Sequence, residues 1–253
     1  MKKEKWLILP DLQYPYTDTR SLAAVLEYAR EYHWDGCLQL GDFMDWEWIS
    51  KWVTGNNRIK EGKRFIDEYR EANHLIDQIL SAIRNKNKKA HFVILMGNHD
   101  YRIDKYIDEN PALEGLLEMD VNLNFKKRGI YYHPYWITKE PYRLGKALFI
   151  HGEYTNQYHS AKTVNNFGHN IFYGHTHDHQ LFSKTFFGSD KTIIGESLGT
   201  LCKYDMPYMG KKPSNWQQLF AVFYIYPDGF FNHFVVDIFK HRFTSPEGDE
   251  YQG

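Results

Sequence analysis

Five short stretches end an apolar run on side chains that bind cations or move protons. "LILPDLQ" supplies Asp11 and Gln13, "CLQLGDFMDW" supplies Asp42 and Asp45, and "VILMGNHD" supplies Asn98, His99 and Asp100. "ALFIHGE" adds His151, and "IFYGHTHDH" adds His175 and His177. Carboxylate, amide and imidazole together suit a pair of divalent cations, about 3.5 to 4 Å apart, that share one carboxylate and activate water. One such stretch is weak, because a polar loop leaving a buried strand explains it equally well. Five in one chain are not explained that way. Glycine stands just before three of the sets, at Gly41, Gly97 and Gly174, where a crowded ionic site needs a sharp exit and close backbone approach.

The elements that must position these groups can be read from periodicity. A strand over 6–9 is followed by a helical pattern over 19–32, with Ala23, Val25, Leu26 and Ala29 at helix spacing. A second strand covers 36–40, a long amphipathic stretch 62–84, and "HFVILMG" reads as a central buried strand. Beyond Met119 the runs shorten and become strand-like: 129–133, 147–150, 170–173, 180–187, 219–225 and 230–236. Alternating α and β followed by strand-rich sequence predicts two packed sheets with helices outside, in one domain over 1–243. The polar, glycine-containing "TSPEGDEYQG" reads as a flexible tail over 244–253. Ligands gather at the carboxyl ends of strands in such sheets, which is where all five sets stand.

Composition narrows the class. In 253 residues, 42% hydrophobic and 25% charged describe an ordinary globular chain, and a net charge of −1 excludes a broadly basic nucleic-acid binder but not a basic groove. The basic clusters "RNKNKK" and "KKR" read as solvated helix ends or loops. Cys37 and Cys202 do not suggest a disulfide framework, the start "MKKEKWLILP" is too short in apolar residues for a signal peptide, and no run approaches a membrane span. A reducing, cytoplasmic setting with no membrane partner is expected.

In this order the motifs D-x-(H/Q), G-D-x-x-D, G-N-H-(D/E), H-G and G-H-x-H resemble those of the calcineurin-like metallophosphoesterases, and the match runs from Asp11 to His177. A looser resemblance, in "LQYPYTD" and "GTLCKYDMPYM…NWQQLFAVFY", is to uncharacterised phosphoesterases of bacteriophages. The family resemblance implies a four-layer α/β/β/α sandwich of two mixed sheets flanked by helices. It implies that Asp11, Asp42 and His177 hold a first metal, with Gln13 where most members have histidine. Asp42 then bridges to a second metal completed by Asn98, His151 and His175. His99 would stabilise or protonate at the scissile phosphate, oriented by Asp45, while a metal-bridging hydroxide attacks phosphorus. A neutral amide oxygen at Gln13 tilts the metals toward Mn²⁺ or Mg²⁺ rather than Zn²⁺ or Fe, unless Gln13 only touches a metal-bound water.

The implied function is hydrolysis of a phosphate ester, a phosphodiester of nucleic-acid or nucleotide type for preference. A phosphomonoesterase acting on a metabolite or phosphoprotein is the rival, and a non-catalytic metal-binding scaffold a further one. The second motif, "GDFMDW", lacks the arginine that the protein phosphatases of the family use on phosphate. Arg102 reads either as a phosphate contact or as the partner of a surface acid, and His159 either as a phosphate contact at a helix start or as a surface histidine. Trp48 and Trp52, at helical i, i+4 spacing in "DWEWISKW", read as a packed helix face before a stacking platform.

Overall fold

The apolar runs that precede the candidate ligands form strands covered on both faces. The computed structural model describes residues 2–53, 57–188, 191–206 and 214–253, without the side chains of Trp52 and Asn57. Strands β1 (Glu4–Leu9), β2 (Gly36–Gln39), β3 (His91–Leu95) and β4 (Ile130–His133) run parallel to one another. A second sheet holds β5 (Tyr142–Leu144), β6 (Ala147–Ile150), β7 (Asn170–Tyr173), β8 (His179–Thr185) and β9 (Thr192–Leu198), in the order β5-β6-β7-β9-β8. The chain then returns to the first sheet with β10 (Leu219–Ile225), antiparallel to β1, and β11 (Phe231–Asp237), giving β11-β10-β1-β2-β3-β4.

The period of two along the strands divides the core in two. On β1, Leu7 and Leu9 join a cluster with the helices Thr19–Glu31 and Phe65–Ile83, whereas Trp6 and Ile8 join one with Phe149, Phe172 and Leu198 of the second sheet. On β3, Phe92 and Ile94 go to the helices and Val93 and Leu95 to the facing sheet. The helix His159–Phe167 covers the outside of the second sheet, where Gly195 is needed because a Cβ would meet Val164 Cγ2 at 2.4 Å. These are the expected layers: helices, mixed sheet, mixed sheet, helix. Each fully buried phenylalanine between the sheets contributes about 1.5–3 kcal/mol. The first helix starts at Asp18, whose carboxylate accepts from the amides of Arg20 and Ser21 at 3.1 and 3.0 Å.

Two local expectations change. "DWEWISKW" does not continue as an α-helix but folds into two 3₁₀ turns, Glu47–Ile49 and Lys51–Val53. Trp48 packs 4.5 Å from Phe65 and donates to Glu68 at 2.9 Å, so it faces the helix Phe65–Ile83, while the Trp52 side chain lies outside the described residues. The end of the chain, read as a flexible tail over 244–253, instead forms a hairpin of β12 (Arg242–Thr244) and β13 (Glu250–Gln252). Tyr251 is buried there against Tyr28 and Phe243, and Glu247 accepts from Lys5 at 2.7 Å and Tyr28 at 3.0 Å, so two aromatic anchors and a paired carboxylate hold a segment whose polar composition conceals them. Part of the looser resemblance, residues 207–213, lies outside the described residues. Cys37 and Cys202 are both buried and free, and among the described residues no helix is long and apolar enough to cross a membrane.

Candidate metal centre

The turns after β1, β2, β3, β6 and β7 meet above the carboxyl edges of the two sheets. The Gln13 amide donates to the Asp42 carbonyl at 2.8 Å, the His99 amide to Asp42 Oδ1 at 2.7 Å, and the His175 amide to Asp11 Oδ2 at 3.0 Å. His151 Nε2 lies 3.3 Å from Asp42 Oδ2 and 2.9 Å from Asn98 Oδ1, and His177 Nε2 lies 3.0 Å from Asp11 Oδ2. One ligand atom each from Asp42, His151 and His175 falls within 4.8 Å of the others. The structure therefore brings together Asp11, Asp42, Asn98, His99, His151, His175 and His177, with Gln13 buried beside them.

Close approach is enforced by glycine and by strain. A Cβ on Gly97 would lie 2.2 Å from Asp42 Oδ1, and one on Gly174 2.1 Å from Asp11 Oδ1, so the two candidate carboxylates sit in cradles that only glycine leaves open. Gln13, Asp42, His175 and His177 adopt positive φ of 43°, 52°, 69° and 61°. Left-handed backbone at a non-glycine residue costs about 1–3 kcal/mol and persists where the surroundings impose it, commonly at functional sites. Part of that constraint comes from Asp100, which is wholly buried and accepts from the amides of Phe43, Met44 and Gly97 at 3.3, 2.9 and 2.9 Å. It ties the turn after β2 to the turn after β3. An aspartate just before a helix predicts an N-cap, but Asp100 makes no cap bond to the helix Tyr101–Glu109, so nothing local in the sequence marks its role.

The electrostatics suit cations. Burial opposes charge on Asp42, yet His151 and His99 hold its carboxyl well below the usual range. Burial lowers His151 as well, but Asp42 and Asp11 raise it to about 9; in His177 the hydrogen bond to Asp11 overcomes burial and raises it to about 10. His175 drops to about 4 through burial and the neighbouring His151. Acids here need positive charge beside them, and a cation bound by these imidazoles replaces the protons that otherwise supply it. The Leu40 carbonyl, 3.0 Å from His151 Nδ1, fixes that ring with Nε2 toward the cluster. Two carboxylates, an amide oxygen and three imidazoles, crowded by glycine cradles, fit divalent metal.

His99 stands at the edge of this group. Its Nδ1 lies 3.0 Å from Asp45 Oδ2, and Arg102 donates to Asp45 at 2.7 Å through the carbonyl and lies 3.1 Å from His99 Nε2. The partner of Arg102 is thus a buried acid beside the site, not a surface acid. His159 is neither a surface histidine nor open to phosphate: it is buried, with Nδ1 2.7 Å from the Tyr173 hydroxyl and Nε2 3.1 Å from Asp178, because the helix it begins covers the second sheet. His179 turns to Glu196 at 2.9 Å. Two aromatic neighbours escaped the sequence reading: Trp136, 5.8 Å from His151 and 6.1 Å from His175, and Trp216, 4.2 Å from His177 between ring centroids. Trp136 stands outside the motifs, Trp216 lies in the stretch "NWQQLFAVFY" of the looser resemblance, and no spacing signals either.

Two mixed sheets between helices, with histidine and aspartate gathered at the strand ends, are the four-layer arrangement expected from the motifs. No family model matches the chain. It is 26% identical over 238 residues to the Gene 54 protein of Mycobacterium phage L5, covering 85% of this chain and 87% of that protein, and 25% identical over 234 residues to the Gene 54 protein of phage D29, with the same coverage. Similar solved structures include Vps29 of Chaetomium thermophilum (TM-score 0.46, 11% identity, 98% of this chain and 94% of that one). Another is a "predicted phosphoesterase" of Streptococcus pneumoniae (TM-score 0.40, 14% identity, 100% and 99%).

Proposed function

We propose that the chain is a binuclear metal-dependent phosphoesterase with a preference for phosphodiesters of nucleic-acid or nucleotide type. The observation that carries this reading is the convergence of Asp42, His151 and His175 within 4.8 Å, beside the Asp11–His177 pair at 3.0 Å. Asp11, Asp42, His177 and Gln13 would hold one cation, and Asp42, Asn98, His151 and His175 the other. Bound there, the cations supply the charge that lowers the pKa of a water and offsets charge developing on the phosphoryl oxygens. His99, anchored through Nδ1 by Asp45, presents Nε2 3.8 Å from Asp42 Oδ2 at the rim, where it meets a phosphoryl oxygen or gives a proton to the leaving oxygen. Arg102 adds a fixed positive charge at that rim. The neutral oxygen of Gln13 favours manganese or magnesium. The phage relatives support action in a host cytoplasm.

The test is turnover of bis-p-nitrophenyl phosphate against p-nitrophenyl phosphate by protein stripped with chelator and reloaded with manganese. Faster diester hydrolysis that requires metal is expected. Faster monoester hydrolysis would move the substrate to phosphorylated metabolites or proteins, and bound metal with no turnover of either would favour a scaffold.

A further inference from the structure

The helix Tyr101–Glu109 sorts its charges about the candidate centre. Arg102, Lys105 and Glu109 line a cleft of about 380 Å³ that also reaches Lys51, Lys60, Asn98 and Trp136. Asp104 and Asp108 of the same helix stand at a different depression, with Glu114 and Glu118. One side of the helix therefore turns Arg102, Lys105 and one carboxylate to the cleft, with Lys51 and Lys60 on the facing wall, and the other side turns acids to its depression, in a chain whose net charge is −1. The cleft opens on the centre itself, because Asn98 belongs to both.

We propose that this cleft binds the phosphates flanking the scissile one in a single-stranded nucleic acid, an inference that rests on the phosphoesterase reading. Arg102 is committed to Asp45, so the binding charge falls to the lysines. Lys60 makes no side-chain hydrogen bond or ion pair among the described residues, and the Lys105 ammonium lies 5.2 Å over the Tyr101 ring, exposed to solvent. These cations come from two separate walls. That spacing suits phosphates strung along a backbone, whereas the polyphosphate of a single nucleotide is gripped by converging backbone amides of a glycine-rich loop, which is absent among the described residues of the cleft. Trp136, partly buried between the cleft and the imidazoles, offers a ring beside the scissile position; Lys139, 3.5 Å over that ring, is paired with Glu153 at 3.0 Å. A volume of about 380 Å³ is in the range of small-ligand sites and suits one strand better than the wider double helix.

The experiment is fluorescence anisotropy of a labelled phosphorothioate oligonucleotide with the manganese-loaded protein at several salt concentrations, with bis-p-nitrophenyl phosphate turnover measured in parallel. Three proteins are compared: wild type, Lys60→Gln/Lys105→Gln, and Lys126→Gln/Lys127→Gln, which removes the same charge from an exposed site elsewhere. Wild type should bind the single strand more tightly than the duplex. The cleft variant should lose about tenfold in affinity, with a salt slope shallower by about 0.7 for each lysine, and the control should bind as wild type does. No binding by wild type, equal loss in the control, unchanged binding by the cleft variant, or a preference for duplex each overturns the inference. Diester turnover without strand binding leaves the phosphoesterase reading standing alone; lysine-dependent strand binding without diester turnover leaves the cleft and removes that reading.

Discussion

His99 is held at Nδ1 by Asp45, 3.0 Å away, while Nε2 points to the rim. That grip fixes which nitrogen faces the centre. His99→Asn should retain metal and lower kcat by about 10²- to 10⁴-fold, and Asp45→Asn, which loosens the ring, by about 10- to 100-fold; metal analysis beside steady-state kinetics checks both, and loss of metal in His99→Asn would make the ring a ligand. Gln13→His should raise zinc affinity relative to manganese in a competition titration, and an unchanged preference would put Gln13 outside the ligand set. Asp100 offers a stability test. Its removal strands three buried amides from two turns, so Asp100→Ala should cost about 3 kcal/mol or more in denaturant unfolding. The candidate ligands were legible because each follows an apolar run directly, three sets of them behind a glycine. Asp100, Arg102 and Trp136 act on partners brought in by the fold, and their neighbours in sequence say nothing of it.

At the scale of elements, the strand-to-turn exits carry the site. Gly97 and Gly174 touch the two carboxylates with their Cα hydrogens, so Gly97→Ala or Gly174→Ala must displace Asp42 or Asp11. Each variant should unfold about 1–3 kcal/mol earlier and bind manganese at least tenfold more weakly in calorimetry. A variant that keeps wild-type affinity would show that the cradles tolerate a methyl group. The strands buried on both faces announced themselves as continuous apolar runs. β9 did not, because Gly195 interrupts "TIIGESL" where the helix His159–Phe167 lies against it, and β5 has only three residues. "DWEWISKW" misled for a different reason: Trp46 at φ 53° breaks the backbone before a helix can start, and side-chain spacing cannot show that.

At the scale of the whole molecule, the two sheets are tied at their edges as well as through their apolar faces. Glu196 on β9 lies 2.9 Å from His179 on β8 and 2.6 Å from His233 on β11 of the other sheet. Burial pushes its carboxyl up, but hydrogen bonds from His179 and His233 outweigh burial and hold it below the ordinary value. A depressed carboxylate stabilises the fold above its unfolded value of 4.5 and loses that contribution as pH falls through the folded one. The stability difference between wild type and Glu196→Gln should therefore be larger at pH 6 than at pH 3 in urea titrations (roughly 1–3 kcal/mol at its largest); a constant difference would mean that the carboxylate is not paired. The two-sheet plan followed from the order of elements, and the hairpin at the end was hidden by its polar composition. The phosphoesterase reading requires Asp42 to serve two cations at once. Manganese content and bis-p-nitrophenyl phosphate turnover of wild type and Asp42→Asn test it most directly. Two ions per chain in wild type, with at most one and a loss of more than about a hundredfold in turnover in Asp42→Asn, is the result expected, and full turnover in Asp42→Asn would contradict it.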